Sequence, residues 1–179
     1  MFGGADDGRN HFSTETSMIV VFYYTQSGQA LEIAKRICQP LEAAGHEVAW
    51  RPIIPLQDYP FPWNKYEFFD SFPEARLGMP PSGIQPIDFT GIEDAELVMI
   101  VGQSWFLSPS LPLQSFMENK QVQAYLQGKK VIFVNACRNM WLMTSRVMRA
   151  YLREINCLKL PCMKIYKHAF LQTKHLCFT

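Results

Sequence analysis

Residues 18–45 read MIVVFYYTQSGQALEIAKRICQPLEAAG, and this stretch decides the fold. It begins with seven consecutive apolar or aromatic residues, which is the pattern of a strand buried on both faces of a parallel sheet. A small polar turn follows, and apolar residues then recur at helical spacing as far as Gly45, where a C-terminal helix cap is expected. The stretch therefore predicts a strand, a loop and a helix that packs one face on the sheet.

The turn between the predicted strand and helix, residues 25–30 (TQSGQA), has the chemistry of an anion site. A helix N-terminus offers unpaired N–H groups and the positive end of the helix dipole. Thr25 and Ser27 add hydroxyl donors, and Gly28 allows a positive φ or a close approach to a ligand. No lysine follows the glycine, so the turn is not a P-loop, and a terminal monophosphate fits it better than a triphosphate. An ordinary βα turn with polar caps is the alternative.

The composition indicates one compact α/β domain without a strong overall charge. The chain has 179 residues, of which 48% are hydrophobic, and this is enough for a sizeable core. Its net charge of +1 excludes recruitment of nucleic acid or of an anionic membrane by overall charge. No apolar run approaches the ~18 residues that span a bilayer, and the N-terminus has no signal-peptide pattern. We therefore expect a soluble, cytoplasmic protein with neither a nucleic-acid partner nor a membrane span.

The cysteines are odd in number and have no C-x-x-C spacing, which argues against a zinc site or a disulfide framework. They are Cys38, Cys137, Cys157, Cys162 and Cys177. We expect reduced thiols and no metal. Cys137 stands beside Arg138 at the predicted start of a helix, where the pKa of a thiol is lowered and the thiolate is reactive. A buried structural cysteine is the alternative.

The domain is expected over residues 18–166. Residues 1–17 are rich in Gly, Asp, Asn, Ser and Thr and predict a disordered tail. Residues 167–179 form a second, shorter tail. Further strand patterns within the domain lie at residues 46–54, 95–102, 129–136 and 158–166. The first and last of these contain proline, which places them at sheet edges.

Residues 55–90 form the longest irregular stretch, with seven prolines and a run of aromatic residues between Tyr59 and Phe72. One helix is predicted over residues 63–72. An insert of this length usually forms a lid or a binding loop, and its aromatic side chains could line a pocket for a flat or apolar substrate. Alternatively, they only cover the sheet.

Polar turns also follow the third and fourth predicted strands, at residues 103–112 and 137–141. Loops at the carboxyl ends of parallel strands converge on one crevice in open α/β sheets. We assign no catalytic residue, and we group the three turns as one candidate binding site. Its residues are Thr25, Gln26, Ser27, Gly28, Gln29, Ala30, Ser104, Trp105, Phe106, Cys137, Arg138 and Asn139.

The strand followed by T-Q-S-G-Q-A resembles the FMN phosphate loop of flavodoxins, whose pattern is roughly [ST]-x-[ST]-G-[NQ]-[ST]. Thr25, Ser27, Gly28 and Gln29 match this pattern. Ala30 departs from it and lacks the last hydroxyl that the family loop offers to the phosphate. The resemblance implies FMN as the cofactor.

The same resemblance implies a flavodoxin-like three-layer α/β/α sandwich with a parallel sheet in the order 2-1-3-4, extended to five strands if residues 158–166 pair. It also implies that Trp105 or Phe106 stacks on the isoalloxazine ring, because in flavodoxins and related reductases the loop after the third strand contacts that ring.

Three stretches taken together are similar to a narrower family, the bacterial dialkylresorcinol-condensing enzymes. They are YYTQSGQ at residues 23–29, YPFPW and FFDSFPE within 59–74, and SWFLSPSLP with ACRNMWLM at 104–112 and 136–143. The likeness covers about residues 18–155, and family members continue further beyond that point than this chain does. The family's name implies carbon–carbon bond formation in an aromatic lipid pathway.

Two classes of function follow. The first is an oxidoreductase that holds FMN and passes electrons from NAD(P)H to a small acceptor. The second is a condensing enzyme that joins activated acyl substrates, with Cys137 as nucleophile; a cofactor-free binding subunit is a third possibility. The small-molecule substrate would be aromatic or acyl. Ala30 weighs against the first class, and the lack of an evident histidine base weighs against the second, since His46 and His168 are the nearest candidates.

Overall fold

The fold is defined by a computed structural model, which describes residues 17–77, 83–137, 141–155, 158–159 and 163–166. Of the two predicted tails, only Ser17 lies within these residues, so the tails and the domain limits stay predictions.

Helices and strands alternate along the described residues. In chain order they are β1 Met18–Tyr23, α1 Gln29–Ala43, β2 Glu47–Pro52, α2 Lys65–Leu77, β3 Leu97–Trp105, β4 Ser108–Pro109, α3 Leu111–Glu118, α4 Lys120–Leu126, β5 Lys130–Cys137, α5 Leu142–Glu154, β6 Leu158–Lys159 and β7 Met163–Tyr166. The described part of the chain contains no helix that is both long and apolar enough to cross a membrane.

The main strands form one parallel sheet in the order β2-β1-β3-β5. The short strands β6 and β7 both pair with β5 in parallel and fill the fifth position. The strand β4 is the exception, because it is antiparallel to the end of β3. The predicted order is therefore confirmed, with β5 as the fourth main strand and the fifth strand split in two.

Residues of β1 alternate between two apolar cores, one on each face of the sheet. Val20 and Phe22 face the larger core, to which α2, α3, α4 and α5 contribute. Ile19 and Val21 face the smaller core, which α1 covers. Because both faces are covered, β1 is apolar at nearly every position. The predicted three-layer sandwich is confirmed.

Local chemistry explains where the helices after β2 and β3 begin. Asn64 accepts hydrogen bonds from the backbone N–H groups of Tyr66 and Glu67, at 2.9 and 3.0 Å, and so caps α2. α2 then continues to Leu77, beyond the predicted end at residue 72. Two helices follow β4, because the extended backbone and side chain of Asn119 cap a new helix at that point.

The end of β3 differs most from the sequence-based expectation. The strand continues to Trp105, three residues beyond the predicted end at Gly102. The reason is β4, which pairs Ser108 with Trp105 and thereby forms a hairpin. The predicted loop residues Ser104 and Trp105 are therefore held in a strand, and only Phe106 and Leu107 form the turn.

Candidate functional site

The loop between β1 and α1 leaves backbone N–H groups available at the carboxyl edge of the sheet. Gly28 is the N-cap of α1, with a φ of 81° and a ψ of −20°. The first hydrogen bond of the helix runs from Glu32 N–H to the Gly28 carbonyl, at 3.1 Å. The N–H groups of residues 29–31 precede this bond and have no acceptor within the helix. They form the donor set of an anion site.

Thr25 adds a buried hydroxyl to these donors. Its Oγ1 atom is shielded from solvent and has no hydrogen-bond partner among the described residues. Leaving a buried polar atom unsatisfied costs about 1–3 kcal/mol. Ser27, Gly28 and Gln29 are exposed beside it. An anion at this loop would satisfy the Thr25 hydroxyl and would be accessible from solvent.

The side chain of Gln26 is held by hydrogen bonds to two other parts of the chain. Its side-chain nitrogen donates to the carbonyl of Pro60 at 3.0 Å and to that of Tyr59 at 3.4 Å. Its side-chain oxygen accepts from Gln103 Nε2 at 3.2 Å. Gln26 therefore ties the loop to the segment after β2 and to the end of β3.

Ala30 is buried in the core between β1 and α1, where it packs with Ile33 and Ala34. Its methyl group faces the sheet, so only its backbone N–H belongs to the loop.

Two of the predicted site residues, Ser104 and Trp105, lie at the end of β3. Ser104 contacts buried polar side chains, and Trp105 belongs to an aromatic cluster. The Ser104 hydroxyl lies 2.8 Å from Thr144 Oγ1 and 3.1 Å from Asn135 Oδ1. Trp105 is buried, and its ring makes edge contacts with Tyr24 and with two residues of the irregular segment. Those two contacts are with Tyr59 and Trp63, at centroid distances of 5.0 and 4.8 Å.

Phe106 and Leu107 form the two-residue turn of the β3–β4 hairpin with positive φ values of 49° and 71°. Such hairpin turns favour glycine or asparagine, because a Cβ is strained in the left-handed region. Packing compensates part of this strain. The Phe106 ring is stacked with Trp63 at 6.1 Å and meets the edge of Phe72 at 4.9 Å.

The candidate residues after β5 are described only in part. Cys137 is the last residue of β5 and is half-buried. Arg138 and Asn139 lie outside the described residues, as does His168. His46 accepts or donates a hydrogen bond with Ser17 Oγ at 3.0 Å, just before the parallel strands β1 and β2 begin. It is therefore at the end of the sheet opposite to Cys137 and cannot act as its base.

Cys38 is a structural cysteine. It is buried in the core beneath α1, and burial raises the pKa of its thiol to about 11, with a smaller contribution from Glu42. Within the residues that the structure describes, no group of three or more His, Cys, Asp or Glu side chains could hold a metal ion.

A cavity of about 290 Å³ lies beside the loop, at the carboxyl ends of β1 and β2. Tyr24, Thr25 and Gln26 line one side, and residues 52–55 with Asp58 and Tyr59 line the other. Burial raises the pKa of Tyr24, and Tyr59 and Asp58 add to the effect, so Tyr24 is a neutral phenol. Residues 52–55 and Asp58 of this wall lie outside the binding site that the sequence predicts, because their only sequence signals are two prolines and a position next to the aromatic segment.

Comparison with solved structures shows the fold. A flavoprotein from Lactobacillus acidophilus, solved in complex with FMN, is 14% identical and superposes with a TM-score of 0.58 over 76% of this chain and 85% of its own. A flavodoxin from the domain Archaea is 16% identical, with a TM-score of 0.57 over 83% of this chain and 82% of its own. The flavodoxin, WrbA-like protein from Agrobacterium tumefaciens is 12% identical, with a TM-score of 0.54 over 85% and 84%.

No protein-family model and no curated protein matches the sequence. The fold is therefore assigned from the architecture and from the similar solved structures. With a parallel sheet in the order β2-β1-β3-β5, helices on both faces and these structural neighbours, the chain has the flavodoxin-like α/β fold.

Proposed function

We propose that this protein binds FMN, with the phosphate of FMN at the loop between β1 and α1. The observation that carries the proposal is the buried, unsatisfied hydroxyl of Thr25 in the loop before α1, whose first N–H groups have no acceptor within the helix. The donors are neutral and come from one short loop, which suits a terminal monophosphate. The FMN complex of the Lactobacillus flavoprotein, which has the same fold, supports the choice of ligand.

Some residues of the chain would contact the phosphate of FMN, and others would hold the loop in position. Thr25, Ser27 and the N–H groups of residues 29–31 would hold the phosphate, and Gln26 would keep the loop in place through its bonds to Pro60 and Gln103. Neither predicted stacking residue is freely exposed, but Phe106 is less buried than Trp105 and is the better candidate. When bound, FMN supplies electron- and hydride-transfer chemistry.

The activity that follows from such a site is a flavin-dependent oxidoreductase that accepts electrons from NAD(P)H. The condensing alternative needs Cys137 as an activated nucleophile with a base in reach. His46 cannot be that base, because it lies at the opposite end of the sheet. The other candidate base, His168, lies outside the described residues, so our preference for the oxidoreductase rests on the FMN complex of the Lactobacillus flavoprotein, which has the same fold.

Titrating the purified protein with FMN and with riboflavin, followed by flavin fluorescence, tests the proposal. Riboflavin lacks the phosphate, so we expect FMN to bind more tightly. Ser27→Ala removes one hydrogen bond to a charged group, worth roughly 1.5–3 kcal/mol, and should weaken FMN binding ten- to a hundredfold. It should leave riboflavin binding unchanged.

Ser17→Ala is the matched control, because it also removes a serine hydroxyl but does so at the other end of the sheet, beside His46. Its FMN titration should match that of the wild type. Equal affinities for FMN and riboflavin, or no binding of either flavin, would contradict the proposed site.

A further inference from the structure

The helix α2 differs from the other long helices in what it exposes. Ala75 is its one fully buried residue among those whose side chains are described, and Gln114 donates to the Ala75 carbonyl at 3.0 Å. By contrast, Tyr66, Phe69 and Leu77 are 86%, 61% and 71% exposed. Exposing several large apolar side chains on one helix is unfavourable in water and marks an interaction surface.

These exposed residues form a continuous stripe. Tyr66, Phe69, Pro73 and Leu77 follow one another at intervals of three, four and four residues. Residues with these intervals share one face of an α-helix. Ala75 lies on the opposite face, so the stripe points away from the core, as its exposure also shows. We call these four residues the α2 stripe.

Charged residues flank the α2 stripe asymmetrically. At 100° per residue, Lys65 and Arg76 project on one side of it, whereas the exposed residues Glu67 and Asp70 project on the other. One flank is therefore basic and the other acidic. A surface of this kind is complementary to a second copy of itself.

We propose that the protein forms a two-fold dimer in which the α2 stripes of two copies pack against each other with the helices parallel. When the two-fold axis runs along the helices, the basic flank of one copy meets the acidic flank of the other, as in parallel coiled coils. Lys65 then faces Asp70 of the partner subunit. An antiparallel pair would instead place acid against acid and base against base, which is repulsive.

The α2 stripe is held in position by the rest of the protein. Asn64 caps the start of the helix through the N–H groups of Tyr66 and Glu67. Phe72, on the basic flank, contacts Phe106 in the β3–β4 turn at a centroid distance of 4.9 Å. The proposed dimer would therefore lie next to the hairpin at the carboxyl edge of the sheet, on an element that is already ordered in one copy.

Sedimentation velocity of the full chain over a wide range of concentrations tests the proposal. We expect the sedimentation coefficient to rise with concentration from that of a monomer to that of a dimer. Phe69→Glu should raise the dimer dissociation constant by a factor of ten or more, about the effect of removing a central interface aromatic. A monomer at all concentrations would overturn the proposal.

Leu142→Glu is the matched control, because Leu142 is also a large apolar residue, 51% exposed, but belongs to α5. It should leave association unchanged. If Leu142→Glu weakened association as much as Phe69→Glu, a different face would form the interface. Far-UV circular dichroism of each variant checks that it is folded.

Charge exchange tests the parallel orientation separately. Lys65→Glu and Asp70→Lys should each weaken the parallel dimer by a factor of about two to five, within the range of exposed ion pairs. The double variant should restore wild-type association. In an antiparallel pair each single variant would instead strengthen association, so that result would overturn the proposed arrangement.

Discussion

Two turns at the carboxyl edge of the sheet use left-handed backbone in opposite ways. In the turn after β1, Gly28 adopts the left-handed conformation at a φ of 81°, and an added Cβ there would meet no atom within 4 Å. In the turn after β3, Phe106 and Leu107 adopt this conformation, although their large side chains are strained at positive φ. One turn is open and polar, whereas the other is filled by its own aromatic side chains.

This difference separates a place prepared for a ligand from a place prepared for packing. The glycine turn adopts its shape without strain and leaves the Thr25 hydroxyl unsatisfied. The β3–β4 turn holds its strained shape because Trp105 and Phe106 pack against Trp63. We therefore expect loss of the Thr25 hydroxyl at the first turn to change ligand binding, and loss of the Trp105 ring beside the second turn to change mainly stability.

The largest effect should come from Trp105→Ala. The Trp105 ring is buried among Tyr24, Tyr59 and Trp63, so its removal leaves a cavity and should lower the free energy of unfolding by about 3–5 kcal/mol. Urea denaturation measures this loss. Trp50→Ala on the edge strand β2 is the control and should cost less, because Trp50 is only half-buried. Equal losses would mean that the cluster is not specially packed.

The sequence predicts the strands and helices around the first turn well, because their patterns depend on residues that are close together in the chain. The apolar run of β1, the helical spacing of α1 and the cap at Gly45 depend on neighbouring residues, and the structure confirms all three elements. The end of β3 could not be predicted in this way. It depends on pairing with β4, and no glycine marks the turn at Phe106 and Leu107.

The candidate site was predictable to a similar degree. The position of Gly28 at the start of α1 follows from the strand–turn–helix pattern. The role of Gln26 does not, because its partners Pro60 and Gln103 lie 34 and 77 residues away. The burial of Ala30 follows from its place in the first turn of a helix that packs on the sheet.

The second effect in size should come from Gly28→Ala. A Cβ at a φ of 81° costs about 1–2 kcal/mol of backbone strain, and the open space around Gly28 adds no steric term. Urea denaturation should show that loss. Gly28→Asn is the matched comparison and should cost less, because asparagine tolerates the left-handed region better. If alanine were tolerated without loss, the turn would be flexible enough to leave the left-handed region.

Leu107→Gly should have a smaller effect of the opposite sign. Glycine relieves the strain at a φ of 71°, and the Leu107 side chain is already 37% exposed, so little packing is lost. Because glycine also costs conformational entropy, we expect a net gain in unfolding free energy of less than about 1 kcal/mol. A loss of stability measured by urea denaturation would show that packing of Leu107 outweighs its strain.

The sharpest test of the open turn should come from Thr25→Val, whose effect on stability is also small. Valine has nearly the shape of threonine but lacks the hydroxyl that is buried without a partner. Removing an unsatisfied polar atom should therefore raise the unfolding free energy of the flavin-free protein by about 1 kcal/mol, the lower end of the cost of such an atom. If that hydroxyl donates a hydrogen bond to a phosphate, FMN affinity should fall in the same variant, while Thr25→Ser should preserve it.

Stability and affinity thus move in opposite directions, which a purely structural threonine cannot produce, because losing a bond within the protein would lower stability. Urea denaturation without flavin and FMN titration of the same preparations measure the two signs, and a loss of both would assign the hydroxyl to the structure of the turn.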